Sequence, residues 1–521
     1  MSAKKNNEVL ILGLTVAITG GFLLGGGWFA LRSGALSGTN SALTQKTNPR
    51  VKVVLEVLGD TFSGYSTLRS PAFQGALSDR AIGLNYSDEF DQKARSAALG
   101  LGKADLIVTT LDQFLAHRPQ GKIVALVDRT VGADAVVLNT QRFPQLKSLL
   151  DLETLVQQQQ ARGKRLKIVF AGDTPSEFLA TVLDTQFDNF DLSDFEVERV
   201  EDASVAWETM QKDKTVAAAV LWEPFVARAQ QQGNTVVLSS SDAPTTIVDV
   251  VVASDRVVQS NPEAVGDFVE AYYRHIDSSL QDKALLTRQI AADGNLQPAE
   301  AETVARGIQF FTSVEARDWM ESGTLEKRIG AISSILVLSG RLDGVPSNPA
   351  SLYTSQYLAP VATQTATLID FIAADNPQLA QQLRGTTGRG VTKPVSAVGL
   401  QQAQPIGNLA VRGEIKFQTG SAQLTAQGQK TLDTLANQLA EFNPSAVAVK
   451  VQGHTSRTGS AAVNEKLSRD RAKVAVDYLK GQNLPHHFAA EGLGYSQSLP
   501  DTDPASPLNQ RTVIRLVRLK S

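Results

Sequence analysis

The distribution of apolar residues divides the chain into three parts. Val9 to Leu31 form a run of 23 residues without a charged side chain. From Val51 to about Pro360, short runs rich in β-branched residues alternate with helical patterns. From Asn408 onward the same alternation returns on a smaller scale. A chain of 521 residues is also too long for one hydrophobic core, so we expect separate domains.

The first apolar run predicts a membrane-spanning helix. At about 1.5 Å per residue, a helix over 9–31 is long enough to cross a hydrocarbon core of roughly 30 Å. Two lysines precede it and favour a cytoplasmic N-terminus, residues 1–8. A cleaved signal peptide is the alternative, although its apolar region normally has only about 7–15 residues. We therefore expect an uncleaved single-pass anchor in the inner membrane, a linker at 32–50, and the rest of the chain in the periplasm.

Glycines within this run raise the question of dimerisation. Gly21 and Gly25 have the small-xxx-small spacing of membrane helices that associate in pairs. Glycine is also common in membrane helices that do not pair. A homodimer through the predicted helix and a helix without a partner both stay open as interpretations.

The middle of the chain, residues 51–360, predicts an α/β fold with two lobes. Helical patterns separate the apolar strand patterns, which indicates largely parallel sheets covered by helices on both faces. Some 300 residues are more than a single lobe of this kind needs. The predicted strands are Val51–Val57, Asp105–Thr110, Lys122–Val127, Ala135–Leu138, Leu166–Ala171, Ala217–Leu221 and Ile247–Ala253.

Segments such as Phe62–Tyr65, Thr109–Phe114 and Asp128–Val137 give this middle region a resemblance to a known family. It resembles the periplasmic substrate-binding proteins that serve ABC importers of nitrate, sulfonates and taurine. The resemblance implies that two lobes close on a small solute and that an ABC permease is a partner. Independently, ligands of open α/β sheets bind at the carboxyl ends of the strands. The matching segments are Phe62–Tyr65, Gly102–Leu106, Thr109–Phe114, Asp128–Val137, Ala217–Pro224 and Ser260–Val265.

Polar residues near the predicted strand ends are the candidate solute contacts. Thr174 is expected to cap a helix that begins at Pro175, with Glu177 completing a capping box. Free N–H groups at that helix start would favour an anionic group. The candidate contacts are Tyr65, Thr109, Thr110, Asp134, Thr174, Ser176, Trp222 and Glu223.

These candidates also have structural interpretations. Thr174 serves equally well as a cap alone, and Asp134 as a turn residue. Trp222 is also suited to the core and Glu223 to the solvent. An acid at Glu223 favours a cationic or zwitterionic solute, whereas the helix start favours an anion. We therefore predict a small anionic or zwitterionic solute and leave its identity open.

Residues 361–407 predict a spacer. Thr365–Phe371 and Pro377–Leu383 have short helical patterns, and Arg384–Pro405 is rich in Gly, Thr, Gln and Pro.

After the spacer, residues 408–521 predict a small α/β sandwich. In chain order, the predicted elements of this sandwich are a strand at Gly413–Phe417, a helix capped by Thr425, a strand around Val447–Val451, a helix over Val463–Leu479 and a strand at Thr512–Leu519.

Segments such as Gly420–Leu424, Gly453–Thr455 and Arg471–Ala472 give the C-terminal part a resemblance to a known family. It resembles the OmpA-type peptidoglycan-binding domains over its full length. The resemblance implies that the acid following a Gly-His-Thr motif and the arginine of a Leu-Ser-x-x-Arg-Ala motif hold the diaminopimelate of the wall peptide. The candidate peptidoglycan contacts are Thr455, Ser456, Asn464, Arg471 and Arg511. The matching residues are Phe417, Gly420–Leu424, Gly453–Thr455, Gly459, Asn464, Leu467–Ser468, Arg471–Ala472, Tyr478–Leu479, Gly492–Tyr495, Asn509 and Arg511.

Arg471 lies on the apolar stripe of its predicted helix, where an unpaired guanidinium is costly. An internal ion pair and a ligand carboxylate are the two interpretations. Ser456 stands where the related domains have Asp, and Gln510 replaces an arginine of their closing motif. Because charged hydrogen bonds contribute about 1.5–3 kcal/mol against about 1 for neutral ones, we expect roughly tenfold weaker diaminopimelate binding.

The amino-acid composition excludes several kinds of functional site. Cysteine is absent, which excludes disulfides, thiolate metal sites, a cysteine nucleophile and a lipoprotein anchor. The five histidines are scattered, and no basic block points to nucleic acid. We expect no catalytic residue, no metal and no cofactor. Two other hypotheses stay open: a structural or sensory envelope protein, and an enzyme that uses carboxylates on a binding-protein fold.

Overall fold

The computed structural model describes residues 51–385 and 397–519. The predicted cytoplasmic segment, the anchor at 9–31 with its dimer face, and the linker at 32–50 lie outside the described residues. Across the two described ranges, no helix has the length and the apolar character needed to cross a membrane.

Strands in the described ranges follow the β-branched runs of the sequence. They are β1 (Val53–Gly59), β2 (Ile82–Asp88), β3 (Leu106–Thr110), β4 (Gly121–Thr130), β5 (Asp134–Leu138), β6 (Lys167–Ala171), β7 (Glu196–Val200), β8 (Val216–Trp222), β9 (Thr235–Ser239), β10 (Val248–Ser254), β11 (Ile308–Phe310), β12 (Gln404–Asn408), β13 (Val447–Gly453), β14 (Phe488–Gly492) and β15 (Thr512–Arg518).

Helices start at capping residues that the sequence supplies, such as Asp91, Ser148 and Asp202, whose side chains accept backbone N–H groups. The helices are α1 (Ser66–Arg69), α2 (Pro71–Ser78), α3 (Gln92–Gly100), α4 (Leu111–His117), α5 (Leu149–Gln160), α6 (Pro175–Gln186), α7 (Ala203–Lys212), α8 (Phe225–Gln231), α9 (Asp255–Ser260), α10 (Pro262–Ser279), α11 (Lys283–Gly294), α12 (Pro298–Arg306), α13 (Ser313–Glu321), α14 (Thr324–Leu338), α15 (Ala359–Asp375), α16 (Pro377–Leu383), α17 (Ala397–Gln402), α18 (Ala426–Leu439) and α19 (Ala461–Gly481).

Two sheets form two lobes, as the sequence predicts. Lobe I contains the strand order β11-β4-β10-β3-β1-β2, and lobe II contains β7-β6-β8-β5-β9. Both sheets are mixed and not purely parallel, because β10 runs antiparallel to β3 and β4, and β5 runs antiparallel to β8 and β9. The chain passes between the lobes twice, from β4 to β5 and from β9 to β10. These two crossovers place the lobe edges opposite each other.

Much of the predicted spacer at 361–407 belongs to folded domains. The predicted short helix at Thr365–Phe371 is the middle of the longer α15, whose Val361 is buried in the core of lobe I. The Thr365 hydroxyl donates a hydrogen bond of 2.7 Å to buried Asp277 of lobe I. At the other end, β12 is the first strand of the C-terminal sheet. The sequence predicts only the middle of α15, and it predicts no strand at β12, in which Ile406 is the one large apolar residue.

The C-terminal domain is a four-stranded sheet in the order β12-β15-β13-β14, packed against α18 and α19. Thr425 caps α18 as predicted, by accepting a hydrogen bond of 3.1 Å from the N–H of Gly428. The strand predicted at Gly413–Phe417 is wrong. That segment makes only an isolated bridge, between Phe417 and Leu424, and the edge of the sheet is formed by β12.

Lobe II and the C-terminal domain share one hydrophobic core. Phe187 of lobe II packs edge-on against Phe442 of the C-terminal domain, with ring centroids 6.1 Å apart. Backbone hydrogen bonds join the two parts directly, including one of 2.9 Å from the N–H of Ala410 to the carbonyl of Gln186. The C-terminal domain is therefore docked on lobe II as a packed unit.

A buried ion pair fixes the same interface to the second crossover. Arg518 of β15 forms two hydrogen bonds, of 3.0 and 2.7 Å, with the carboxylate of Asp242. Asp242 is fully buried in the segment between β9 and β10. Asn443 adds hydrogen bonds to the carbonyls of Asp242 and Ser241. The C-terminal domain thus contacts the segment along which the chain passes from lobe II to lobe I.

Candidate functional sites

The edge of lobe I that faces lobe II is lined by buried acids. Asp249 lies at the start of β10 and Asp128 near the end of β4, and both are at most 1% exposed. The Tyr65 hydroxyl donates a short hydrogen bond to Asp249. The backbone at Gly64 packs directly on Asp128, where a Cβ atom would lie 2.3 Å from its Oδ2. Tyr65, a predicted contact, therefore supports this acidic edge.

Further polar groups surround the two acids. Asp134 is the first residue of β5, at the end of the first crossover, and is 4% exposed. Thr110 ends β3 in register with Asp249. Burial raises the pKa of nearby Asp112, and the Thr110 hydroxyl acts in the opposite direction. The structure thus brings the predicted contacts Tyr65, Thr110 and Asp134 together.

The electrostatics of this cluster are governed by burial and by repulsion between carboxylates. Burial, together with the nearby charge of Asp134, raises the pKa of Asp128 to about 8. Burial also raises the pKa of Asp134 to about 7, with Asp112 and Glu223 acting in the same direction. The pKa of Asp249 is raised by burial and by Asp128. We name Asp112, Asp128, Asp134 and Asp249 the acidic cluster.

Other predicted contacts lie outside the acidic cluster. The Thr109 hydroxyl is hydrogen bonded at 3.0 Å to Gln92 inside lobe I, and Thr109 is fully buried. Trp222 packs on the core of lobe II, and the Glu223 carboxylate accepts a hydrogen bond of 3.1 Å from the N–H of Ala227. Glu223 nevertheless contributes charge to Asp134. Thr109 therefore has a structural role, which corrects its assignment as a solute contact.

At the N-terminus of α6, side chains of the protein itself accept the free backbone N–H groups. The Thr174 hydroxyl accepts a hydrogen bond of 3.2 Å from the N–H of Ser176, as a cap does. Glu177 accepts the N–H of Asp173 at 2.7 Å, one residue before the position that a capping box predicts. Pro175 has no N–H group. Since these groups already satisfy the helix start, the prediction of an anion bound by free N–H groups there is not supported.

Asp173 joins the two lobes. It follows β6 of lobe II and accepts hydrogen bonds of 3.1 Å from His117 of α4 and 2.8 Å from Arg341, just after α14. The His117 contact lowers the pKa of the Asp173 carboxyl. The side chain of Asp173 is 44% exposed. Such partly exposed contacts are weak, so they allow the lobes to separate.

The second candidate site lies in the C-terminal domain around Arg471. Its side chain is placed by α19 and is buried, with 7% of the residue exposed. Nε donates to the carbonyl of Ser421 at 2.9 Å, and the guanidinium carbon lies 5.3 Å from the centre of the Phe417 ring. Burial lowers the pKa of Arg471. Within residues 51–385 and 397–519, Arg471 forms no ion pair, so the internal-pair interpretation is not supported.

Gln510 connects Arg471 with Ser456. Its amide oxygen lies 3.5 Å from Nη1 of Arg471, and its amide nitrogen donates to the Ser456 hydroxyl at 3.2 Å. Ser456 is also within 3.1 Å of the Thr458 hydroxyl. The position that holds an acid in the related domains therefore carries an uncharged chain of hydrogen bonds. The sequence indicated the replacement at Gln510 but not this bridge.

The other predicted wall contacts shape the loop around this site. Asn464 donates to the carbonyls of Thr458 and Ser460, which places it as a loop brace. The Thr455 hydroxyl is buried without a hydrogen-bond partner in the described residues, and Arg511 donates to the carbonyl of Gln497. Burial lowers the pKa of neighbouring His454 to about 4. His454 is therefore neutral at pH 7.

Two family models match this chain. The first, the OmpA family, covers residues 416–511. The second, NMT1/THI5 like, covers residues 77–283. The chain therefore has an OmpA domain behind an NMT1/THI5-like domain. This confirms both resemblances of the sequence, and the C-terminal domain is named the OmpA domain from here on.

Curated relatives named outer membrane protein A match the C-terminal part of the chain. Outer membrane protein A of Shigella flexneri is 33% identical over 123 residues, which cover 23% of this chain and 35% of that protein. Outer membrane protein A of Shimwellia blattae is 37% identical over 90 residues, covering 17% and 37%. The chain thus spans about a third of the length of these relatives.

Solved structures align with the middle of the chain at low identity. The periplasmic aliphatic sulphonate binding protein SsuA from Escherichia coli is 14% identical, covers 58% of this chain and 92% of its own, and has a TM-score of 0.45. The periplasmic nitrate-binding protein NrtA from Synechocystis is 12% identical, covers 62% and 90%, and has a TM-score of 0.46.

Proposed function

We propose that this protein is a non-enzymatic solute-binding protein of a bacterial envelope that is held to peptidoglycan by its OmpA domain. An N-terminal inner-membrane anchor would place the described domains in the periplasm, with an ABC permease as the partner of the solute-binding lobes. The two-lobed fold and the two family matches support this combination.

One observation carries the wall-binding half of the proposal. Arg471 presents a buried guanidinium without a carboxylate partner in the described residues, while Ser456 and Gln510 lie beside it. A planar guanidinium binds a carboxylate through two parallel hydrogen bonds. Diaminopimelate supplies that carboxylate, and its ammonium group supplies a donor for the Ser456 hydroxyl. The site is therefore suited to diaminopimelate, although it has one charge less than an Asp–Arg pair.

Calorimetry with a soluble wall peptide that contains diaminopimelate tests this assignment. We expect measurable binding to the full chain and a loss of at least tenfold in affinity for Arg471→Ala. Arg469→Ala is the matched control, because Arg469 lies on the same helix but is exposed. Equal affinities of the Arg471→Ala variant and the wild type would refute the role of Arg471.

The solute-binding half is tested on the full chain, since lobe II shares its core with the OmpA domain. Stabilisation by a small solute in a thermal-shift screen is the expected result. The runner-up function is a structural or sensory envelope protein whose lobes contact another protein. The contacts of Asp173 with His117 and Arg341 favour it, because they join the two lobes through the protein's own side chains. No stabilisation by any solute would support this runner-up.

A further inference from the structure

The acidic cluster contains buried acceptor atoms that lack donors. Neither oxygen of Asp128 accepts a hydrogen bond within the described residues, and the same holds for Oδ2 of Asp249 and Oδ1 of Asp112. The amide oxygen of neighbouring Gln113 is also without a partner there. Buried polar atoms are normally hydrogen bonded. All of these atoms are oxygens that accept hydrogen bonds, and each lacks a donor.

The arginines near the cluster are held by other partners. Arg95 is fully buried and donates to Asp60 at 2.9 Å and to two backbone carbonyls. Arg129, the neighbour of Asp128, pairs with Glu315 at 2.7 Å and lies over the rings of Phe311 and Trp319. No ion pair joins a member of the acidic cluster to a basic side chain in the part of the chain that the structure describes. The acidic cluster therefore has no ion pair of its own, although the charges of Arg341 and Arg129 act on Asp112 and Asp128 at longer range.

The acids come from both sides of the interlobe edge. Asp112, Asp128 and Asp249 belong to lobe I, and Asp134 begins the first strand of lobe II. Charge from Asp134 acts on both Asp128 and Asp249, so the groups lie within electrostatic reach of one another. A ligand at this edge contacts both lobes and stabilises their closed arrangement, as in hinge closure around a ligand.

We propose that the acidic cluster binds the cationic nitrogen of the solute, an ammonium or guanidinium group that donates hydrogen bonds to Asp128 and Asp249. This assignment rests on the proposed function and narrows its solute class. An N–H-bearing cation supplies both the donors and the paired positive charge that the cluster lacks. Because burial raises the pKa of Asp128 to about 8 and that of Asp134 to about 7, binding of the cation at pH 7 releases protons from the cluster. A nitrate or sulfonate group at the same place would bring further acceptors and a negative charge.

The simplest alternative is a purely structural carboxyl pair. Asp128 and Asp249 are close enough to share a proton, and Tyr65 and the buried hydroxyl of Tyr272 are near them. A shared proton satisfies one contact, but it leaves the remaining oxygens of Asp128 and the charge of Asp134 uncompensated. The two roles are separated by ligand binding, because only the cation site responds to an added amine.

Thermal shift and calorimetry on the full chain test the assignment at pH 7 and constant ionic strength. The cationic probes are putrescine and agmatine, and the anionic probes are nitrate and methanesulfonate. Tetramethylammonium is the control for charge without an N–H donor. We expect saturable stabilisation by putrescine or agmatine, and none by the anions or by tetramethylammonium.

Variants connect the effect to the cluster. Asp128→Asn and Asp249→Asn are each expected to lower the affinity for the binding amine at least tenfold. Asp477→Asn, at an exposed position of α19, is the control and keeps wild-type affinity. Asp134→Asn provides a second test if a lobe I variant fails to fold.

Three outcomes would contradict the proposal, and each has a different consequence for the proposed solute-binding function. Stabilisation by an anion without stabilisation by an amine would refute the cationic class but retain solute binding. Wild-type affinity in both Asp128→Asn and Asp249→Asn would make the carboxyl pair structural. Absence of binding by every probe, together with a negative broader screen, would remove the solute-binding function itself.

Discussion

At the scale of single residues, the proposed wall site lacks one charge, because Ser456 stands where related domains have Asp. Replacing Ser456 by Asp returns a carboxylate to the position beside Gln510 and near Arg471. The ammonium group of diaminopimelate would then meet a charged acceptor. A charged hydrogen bond exceeds a neutral one by about 1–2 kcal/mol. We expect Ser456→Asp to tighten binding of the wall peptide about tenfold, measured by calorimetry, while Ser456→Ala should not tighten it.

Asp128 makes a separate prediction about pH. Its folded-state pKa of about 8 lies above the ordinary value of 3.8. Between these values the folded chain binds a proton that the unfolded chain has released, so stability decreases as the pH rises. Asp134, with a pKa of about 7, acts in the same direction. Asp173, whose pKa is lowered, affects stability only at more acidic pH.

We therefore expect the unfolding midpoint of the full chain to rise as the pH falls from about 8 to 6. Asp128→Asn should flatten this dependence, and Asp477→Asn should preserve it. Differential scanning calorimetry at several pH values gives the comparison. A wild-type midpoint that falls on acidification in this window would contradict the assigned protonation of the cluster.

The sequence indicates some of the residues near the acidic cluster and misses others. The sequence predicts Tyr65, Thr110 and Asp134 as contacts because they lie near strand ends, where ligands of α/β sheets bind. The structure places them beside the acidic cluster, and their role as solute contacts stays a prediction. Asp249 was missed although it interrupts a strand of buried valines, Val248–Val252, which is the available signal. Thr109 was misassigned because adjacent strand residues point to opposite faces, and Thr110 is the one facing the cluster. The hydrogen bonds of Gln510 required the fold.

At the scale of elements, predicted and missed strands differ in burial. The predicted strands are apolar, and most are central, such as β3 and β10, which are buried throughout. The missed strands β2 and β7 lie at sheet edges and carry polar residues on an exposed face. Pattern reasoning identifies a strand by continuous apolar residues. Edge strands therefore escape it, as β12 did within the predicted spacer.

The contact of β15 with the second crossover gives a prediction at this scale. Among the described residues, Arg518→Ala leaves the buried carboxylate of Asp242 with the N–H and hydroxyl of Ser239 as its remaining donors. Breaking a fully buried pair costs roughly 3–5 kcal/mol. Because the Arg518 side chain is 34% exposed, we expect a smaller loss, about 2–3 kcal/mol, by denaturant unfolding.

The exposed Arg412→Ala serves as its control, because Arg412 lies at the surface of the same domain. This control should change the free energy of unfolding by less than about 0.5 kcal/mol. Equal effects of the two substitutions would show that the Arg518–Asp242 pair contributes nothing specific to the interface.

At the scale of the whole molecule, lobe II and the OmpA domain should behave as one cooperative unit. Phe187→Ala removes a ring from their shared core, with an expected cost of about 3–5 kcal/mol. Hydrogen exchange should then show reduced protection in lobe II and in the OmpA domain together. Leu77→Ala, in the core of lobe I, is the control and should act mainly within lobe I. Confinement of the Phe187→Ala effect to lobe II would contradict the shared core.

The sequence alone does not predict that the OmpA domain docks on lobe II. The spacer composition predicted independent domains, and each domain has its own regular pattern. Their union depends on side chains such as Phe442 and Ile406 meeting lobe II across a long sequence separation. Such a contact has no local signature, so only the folded chain shows that the OmpA domain is packed on lobe II.

Co-sedimentation of the full chain with purified sacculi rich in diaminopimelate is the most direct test that this protein is held to the cell wall. Wild type and Arg469→Ala are predicted to sediment with the sacculi, and free diaminopimelate is predicted to release them. Arg471→Ala is predicted to remain in the supernatant. Retention of Arg471→Ala at the wild-type level, or no retention of the wild type, would contradict the account.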